Sequence, residues 1–243
     1  MSQPPSFQHP SIPDHVYKLH RSLYGLRQAP RAWFTRLHNF LISHDFIESK
    51  VDASLFIHHT SCDITLLLIY IDDIIITGSN STLIEHFINA LASEFSIWDL
   101  GPLHFFLGLE SQPTSDGIIL SQSKYALDLL HRARMADAKP CTTPMAATIK
   151  LSTDDSKAYD DPTLYHSTVG ALQYLTMTRP DLAFLVNKVA QYMSKPTVNH
   201  WAALKCILHY IKHTHTLGLH IRHSCSTQLH GYSDSDWTGC LDD

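Results

Sequence analysis

Residues 64–77 read ITLLLIYIDDIIIT: two apolar runs, 64–70 and 74–77, with the adjacent carboxylates Asp72 and Asp73 between them. Each run is of strand length, rich in Ile and Leu, and too short for a helix. A polar tip between two such runs reads as a buried antiparallel hairpin with both carboxylates at or next to its turn. Gly78 ends it. The longest unbroken apolar stretch, 66–71, stops at Asp72 and falls far short of the ~20 residues that span a bilayer.

Around this hairpin the pattern alternates. Pro30 sits at a helix start, and Trp33, Phe34, Leu37, Phe40 and Leu41 follow at helical spacing. A short strand fits 54–58. A helix carries Leu83, Ile84, Phe87, Leu91 and Phe95, with Thr82 and Glu85 spaced as a capping box. A second hairpin is expected from 105–110 and 118–121 around Asp116-Gly117, then a helix over 125–134. Residues 139–161 lack periodicity and read as a linker or long loop. Three helices follow, the first starting at Asp161-Pro162, the second at Pro180, the third containing Trp201 to Ile211. Strand-like runs at 217–222 and 228–233 end the chain. The expected fold class is α+β with antiparallel sheets and a mostly helical section after Asp161.

Composition narrows the function. The chain has 243 residues, a net charge of -5 and only 18 Lys+Arg, which argues against a purely electrostatic nucleic-acid binder. The five cysteines form no C-x-x-C pair, so reduced intracellular thiols are expected. Residues 1–15 have neither a basic nor an apolar leader region, and their prolines suggest an extended arm. A soluble intracellular protein, cytoplasmic or nuclear and with no membrane association, is the expectation.

Adjacent carboxylates at an apolar hairpin tip concentrate charge where Mg²⁺ or Mn²⁺ can bind through hard oxygen ligands. The plain alternative is that Asp is a good turn former; the apolar flanks make the two readings about even. Residues 17–43 hold Lys18, Arg21, Arg27, Arg31 and Arg36 with no carboxylate, interleaved with Tyr24, Trp33 and Phe34. The basic residues suit phosphates; the aromatics are better read as core. His209 and His213 have i, i+4 metal-ligand spacing, yet a surface cluster is the better reading. Asp234 and Asp236 leave the last strand-like run, as turn residues or metal ligands. P-loop, G-x-G-x-x-G and G-x-S-x-G motifs are missing.

Taken together, these segments resemble the reverse transcriptase of copia-type LTR retrotransposons. The string Leu23-Tyr24-Gly25-Leu26-Arg27-Gln28-Ala29-Pro30-Arg31-Ala32-Trp33 and the box Tyr70-Ile71-Asp72-Asp73 carry the likeness. Met1-Ser2-Gln3-Pro4-Pro5-Ser6-Phe7 is similar to the family's opening segment, with Ser6 for glycine. Phe106-Leu107-Gly108-Leu109-Glu110 resembles its primer-grip hairpin. Thr178-Arg179-Pro180-Asp181 and His200-Trp201 resemble its connection segment, and 231–237 the start of its RNase H domain.

The resemblance implies a palm and thumb over 1–138, a linker over 139–160, a helical connection over 161–215 and an RNase H-like start over 216–243. It implies that Asp72 and Asp73 are catalytic metal ligands, Asp72 the principal one. Tyr70 would sit beside the primer end and Gln28 against the incoming deoxynucleoside triphosphate. Arg27, Arg31, Arg36 and Gly108 would contact an RNA/DNA primer–template, and Asp234 would be an RNase H metal ligand. The rest of a Pol polyprotein would be the partner.

Departures accompany the likeness. The family's first catalytic aspartate precedes the segment matched by residues 1–7. Trp98 stands where the family has lysine, and His209 and Cys206 where it has arginine. A polypeptide of these 243 residues is therefore expected to have little or no polymerase activity, with a non-catalytic transposon remnant that at most binds nucleic acid as the alternative.

Overall fold

The computed structural model describes residues 10–11, 25–145, 151–153, 156–224, 226, 228 and 230–233. The chain falls into two compact units, Met1–Leu100 and Gly101–Asp243.

In the first unit, α1 (Ala29–Ser43) leads into β1 (Ile47–Glu48), β2 (Leu55–His59), β3 (Ile64–Tyr70), β4 (Asp73–Gly78) and α2 (Ser81–Glu94). The strands form one antiparallel sheet in the order β1-β2-β3-β4. Alternation along β3 buries Thr65, Leu67 and Ile69 and leaves Leu66 and Leu68 half-buried on the opposite face. Register places Phe56, Leu67 and Ile76 side by side, and Ile69 beside Ile74. This face joins Leu37 and Leu41 of α1 and Phe87 and Leu91 of α2 in one core.

The start of α2 differs from expectation. Its N-cap is Asn80, whose side chain accepts the Thr82 and Leu83 N–H groups at 3.1 and 3.3 Å, in place of a Thr82/Glu85 capping box. An Asn at the N-cap offers the same oxygen as Thr, two residues earlier.

The second unit runs β5 (Phe105–Phe106), β6 (Leu109–Thr114), β7 (Gly117–Ser121), α3 (Ser123–Arg132), α4 (Pro162–Leu175), a 3-10 turn (Pro180–Leu182) leading into α5 (Ala183–Ala190), α6 (Val198–Thr214) and β8 (Gly218–Arg222). Residues 105–110 are not one strand but a tight hairpin, so this region holds two hairpins. β8 pairs antiparallel with β7, giving the order β5-β6-β7-β8. Residues 218–222, expected to open an RNase H-like segment, thus complete this unit's sheet. The described residues 228 and 230–233 form no strand. The pairing joins segments nearly a hundred residues apart, and no local pattern announces it.

Tyr165, Val169, Leu172, Val186, Leu204, Ile207 and Ile211 fill a helical core from the stripes of α4, α5 and α6. The described part of 139–160 is irregular but packed. Leu151 is buried, and its carbonyl accepts the Tyr192 hydroxyl at 2.9 Å. Tyr159 stacks on Trp201 with centroids 4.9 Å apart. His200, fully buried, accepts the Thr197 N–H at Nδ1 (3.0 Å). Its Nε2–H must then donate to the Ser152 carbonyl, 3.0 Å away.

Candidate active site

Tyr70 pairs with Asp73, which leaves Ile71-Asp72 as a two-residue turn. Ile71 has φ of 54° and Asp72 does not share the positive sign, the pattern of a II′ hairpin turn. That position favours glycine, so a β-branched residue there is strained. Ile71 is 74% exposed and gains little packing in return. Relief of left-handed strain is worth roughly 1–2 kcal/mol, against roughly 0.5–1 kcal/mol for the extra freedom of glycine in the unfolded chain. Ile71→Gly is therefore expected to stabilise the first unit by about 0.5–1 kcal/mol in urea titrations.

The turn projects Asp72, while Asp73 shares with Tyr70 and Leu68 the sheet face opposite the two helices. Both carboxylates are exposed, and among the described residues neither has a hydrogen-bond or ion-pair partner. Two adjacent hard oxygen donors fit Mg²⁺, which binds through one or two carboxylates and keeps several waters. No group of three or more His, Cys, Asp or Glu that would hold a metal occurs among the described residues. The hairpin thus supplies two donors from one turn. β4 pairs only with β3 among the described residues, so its outer edge is open to a further strand beside the carboxylates.

The basic segment lies on α1 and its approach. Gln28 is the N-cap of α1 and makes no side-chain capping bond; it is exposed, as are Arg27 and Arg31. Arg36 is committed elsewhere: it donates to Glu94 Oε1 through Nη2 at 2.5 Å and Nε at 3.2 Å, and lies 5.4 Å from the Phe95 ring centre. Trp33 and Phe34 pack against the first unit's core, as their helical spacing suggested. Lys18, Arg21, Tyr24, Asp234 and Asp236 lie outside the described residues. Trp98 is 88% exposed.

Gly108 sits in the β5–β6 turn, where Leu107 and Gly108 have φ of 50° and 80°. The Tyr174 hydroxyl donates to the Leu107 carbonyl. Sequence reasoning passed over Tyr174, which falls outside the apolar stripe of α4. His209 donates its Nδ1–H to the Lys139 carbonyl at 2.7 Å.

A family profile described as reverse transcriptase (RNA-dependent DNA polymerase) matches residues 1–147, more than half of the chain. The chain belongs to this reverse transcriptase family. It is 45% identical over its whole length to the retrovirus-related Pol polyprotein from transposon RE2 of Arabidopsis thaliana. It is 36% identical, again over its whole length, to that from transposon TNT 1-94 of Nicotiana tabacum. It covers 17% of the first of these and 19% of the second. An uncharacterized mitochondrial protein of Arabidopsis thaliana shares 45% identity over 72% of each chain. No solved structure matches. The chain is thus a reverse transcriptase region of a copia-type Pol polyprotein. A family of this kind acts on nucleic acid and generally uses divalent metals. Among the described residues no helix is long and apolar enough to cross a membrane.

Proposed function

We propose that the β3–β4 hairpin tip is the metal-holding element of an RNA-directed DNA polymerase, with Asp72 the principal ligand and Asp73 its neighbour. The observation that carries the reading is the antiparallel hairpin itself, which presents Tyr70, Asp72 and Asp73 together at one exposed end. Asp72 and Asp73 would hold Mg²⁺ or Mn²⁺, which would supply charge neutralisation at a nucleoside triphosphate and activation of the primer hydroxyl. The protein's own part is to hold two carboxylates on a short, stiff turn and to leave them unpaired. Tyr70 lines the primer end. Gln28 faces the incoming deoxynucleoside triphosphate, and Arg27 and Arg31 hold phosphates of the primer–template. Arg36 contributes less, because binding phosphate would cost its pair with Glu94. Gly108 lets the β5–β6 turn approach the nucleic acid. The rest of the Pol polyprotein, in an intracellular setting, completes the enzyme, and Asp234 belongs to an RNase H-like part that follows β8.

Two donors from one turn would hold a divalent cation only weakly, and a further carboxylate from an opposing strand would complete the set. The open edge of β4 is the place for that strand. A polypeptide of these 243 residues alone is therefore expected to give no primer extension above background on an RNA template. A chimaera in which the chain replaces the matched segment of the transposon RE2 Pol polyprotein is expected to extend the primer. Robust extension by the 243-residue polypeptide would contradict this account of the site.

Trp98 favours a second reading, that of a non-catalytic remnant that binds nucleic acid. An exposed indole cannot donate a proton to leaving pyrophosphate as an ammonium can. Trp98→Lys in the chimaera separates the two readings. A rise in extension rate fits a polymerase weakened at this position, and a chimaera silent with either residue fits the remnant.

A further inference from the structure

The β5–β6 hairpin is too small to hold itself. β5 is a two-residue strand at the edge of its sheet, and its two pairs with β6 are few to fix the turn between them. Its turn places both Leu107 and Gly108 in the left-handed region, as a type I′ turn requires. Gly108 takes that shape without strain, whereas Leu107 does not. An outside contact must therefore select the conformation.

Tyr174, near the end of α4, supplies it. Its hydroxyl donates to the Leu107 carbonyl. The same hydroxyl lies where a Cβ on residue 108 would sit 3.3 Å away, so the turn is pressed against the ring end. The Tyr174 ring is held edge-to-face by Tyr125 of α3 at 5.0 Å between centroids. Tyr125 in turn carries the Arg132 guanidinium 5.5 Å from its ring centre. Two helices thus brace one turn through the Tyr174 hydroxyl, while Phe105 and Leu107 keep their side chains exposed.

We infer that Tyr174 is a positioning residue for nucleic-acid binding, acting through the Leu107-Gly108 turn and braced by Tyr125 and Arg132. The inference rests on the proposed role of this hairpin as a nucleic-acid contact. Removing the hydroxyl leaves the ring packing in place and frees the turn to leave its left-handed geometry. The contact surface then pays an ordering cost on each binding event.

The test uses the full 243-residue chain and a fluorescein-labelled RNA–DNA primer–template, with anisotropy read across a salt series. Tyr174→Phe is expected to weaken binding about five- to tenfold. The slope of log Kd against log salt should stay the same, because no phosphate contact is lost. Adding Leu107→Asn, which makes the Asn-Gly pair favoured in type I′ turns, should restore most of the affinity in the Tyr174→Phe background. Amide exchange should speed up at residues 105–110 in the single variant and slow again in the double. Duplex binding by the parent that is untouched by Tyr174→Phe, despite faster exchange in the hairpin, overturns the positioning role and leaves the polymerase reading standing. Weakened binding that Leu107→Asn fails to rescue also overturns it. Absence of duplex binding by the parent overturns the nucleic-acid reading of the hairpin and this inference with it.

Discussion

Asp72→Asn lowers primer extension by the chimaeric polymerase about 10³-fold or more, by analogy with other catalytic sets that act as a unit. Asn keeps the size and turn propensity of Asp but removes the charge that holds a hard divalent cation. The hairpin backbone and its register should be unaffected, since Asp72 is exposed and its carboxylate makes no hydrogen bond or ion pair among the described residues. Primer–template affinity is expected to stay the same or rise slightly, because one negative charge near the phosphates is gone. Asp73→Asn should cost less, with Asp72 the principal ligand. Single-turnover extension with matched duplex binding separates the two effects. A parallel loss of binding and rate would point instead to a disturbed hairpin.

Arg179→Ala is the substitution expected to damage the fold most. Arg179 is only 3% exposed. Its Nε and Nη2 donate to the two Asp181 oxygens at 2.8 and 2.7 Å. Nη1 and Nη2 donate to the carbonyl and hydroxyl of Thr214 at 2.8 and 2.9 Å. The guanidinium also lies 5.6 Å from the Tyr210 ring centre. One side chain therefore ties the turn before α5 to the end of α6. Truncation leaves a cavity and removes the four hydrogen bonds of the guanidinium, while the Thr214 carbonyl keeps the Leu217 N–H and Asp181 the Tyr210 hydroxyl. The cost should be about 2–4 kcal/mol, from the cavity and the lost charged hydrogen bonds. Urea unfolding monitored by the buried tyrosines and Trp201 reads it out.

The same cluster sets a pH dependence. The hydrogen bonds from Arg179 hold the Asp181 carboxyl below the usual carboxylate range. A depressed folded-state value means that the stabilisation is fully present above the unfolded value of about 4 and is lost as pH falls through the folded one. Stability of the second unit should thus lose this contribution only below about pH 4. Asp181→Asn should lower neutral-pH stability and flatten that acid limb.

Strong periodicity made most elements legible in the sequence. The β3–β4 hairpin could be read because its apolar runs are long and its polar tip is short. The α4 and α6 stripes could be read because Pro162 and residues such as Leu204 and Ile207 mark start and period. Long-range pairing could not. Gly218 to Arg222 looked like the start of something new, and only the register with 117–121 places it in the sheet of β5–β7. Residues 139–160 looked like a linker because Leu151 and Tyr159 are isolated in a polar stretch, yet both find partners more than 40 residues away. At the site, the adjacent carboxylates announced themselves through their unusual flanks. The commitment of Arg36 to Glu94 did not, since the two residues are 58 apart and an exposed arginine carries no sign of its partner. Tyr174 was hidden for a similar reason: it lies off the α4 stripe, and its hydroxyl binds a carbonyl 67 residues away.

The most direct test of the hairpin's role is Mn²⁺ titration of the ¹⁵N-labelled 243-residue protein, followed by paramagnetic broadening of its amide resonances. The account predicts that the amides of residues 70–73 broaden first, at weak affinity and in competition with Mg²⁺, and that Asp72→Asn with Asp73→Asn removes the effect. Broadening that begins instead at other paired carboxylates, such as Asp154-Asp155 or Asp160-Asp161, with residues 70–73 unaffected, would contradict it.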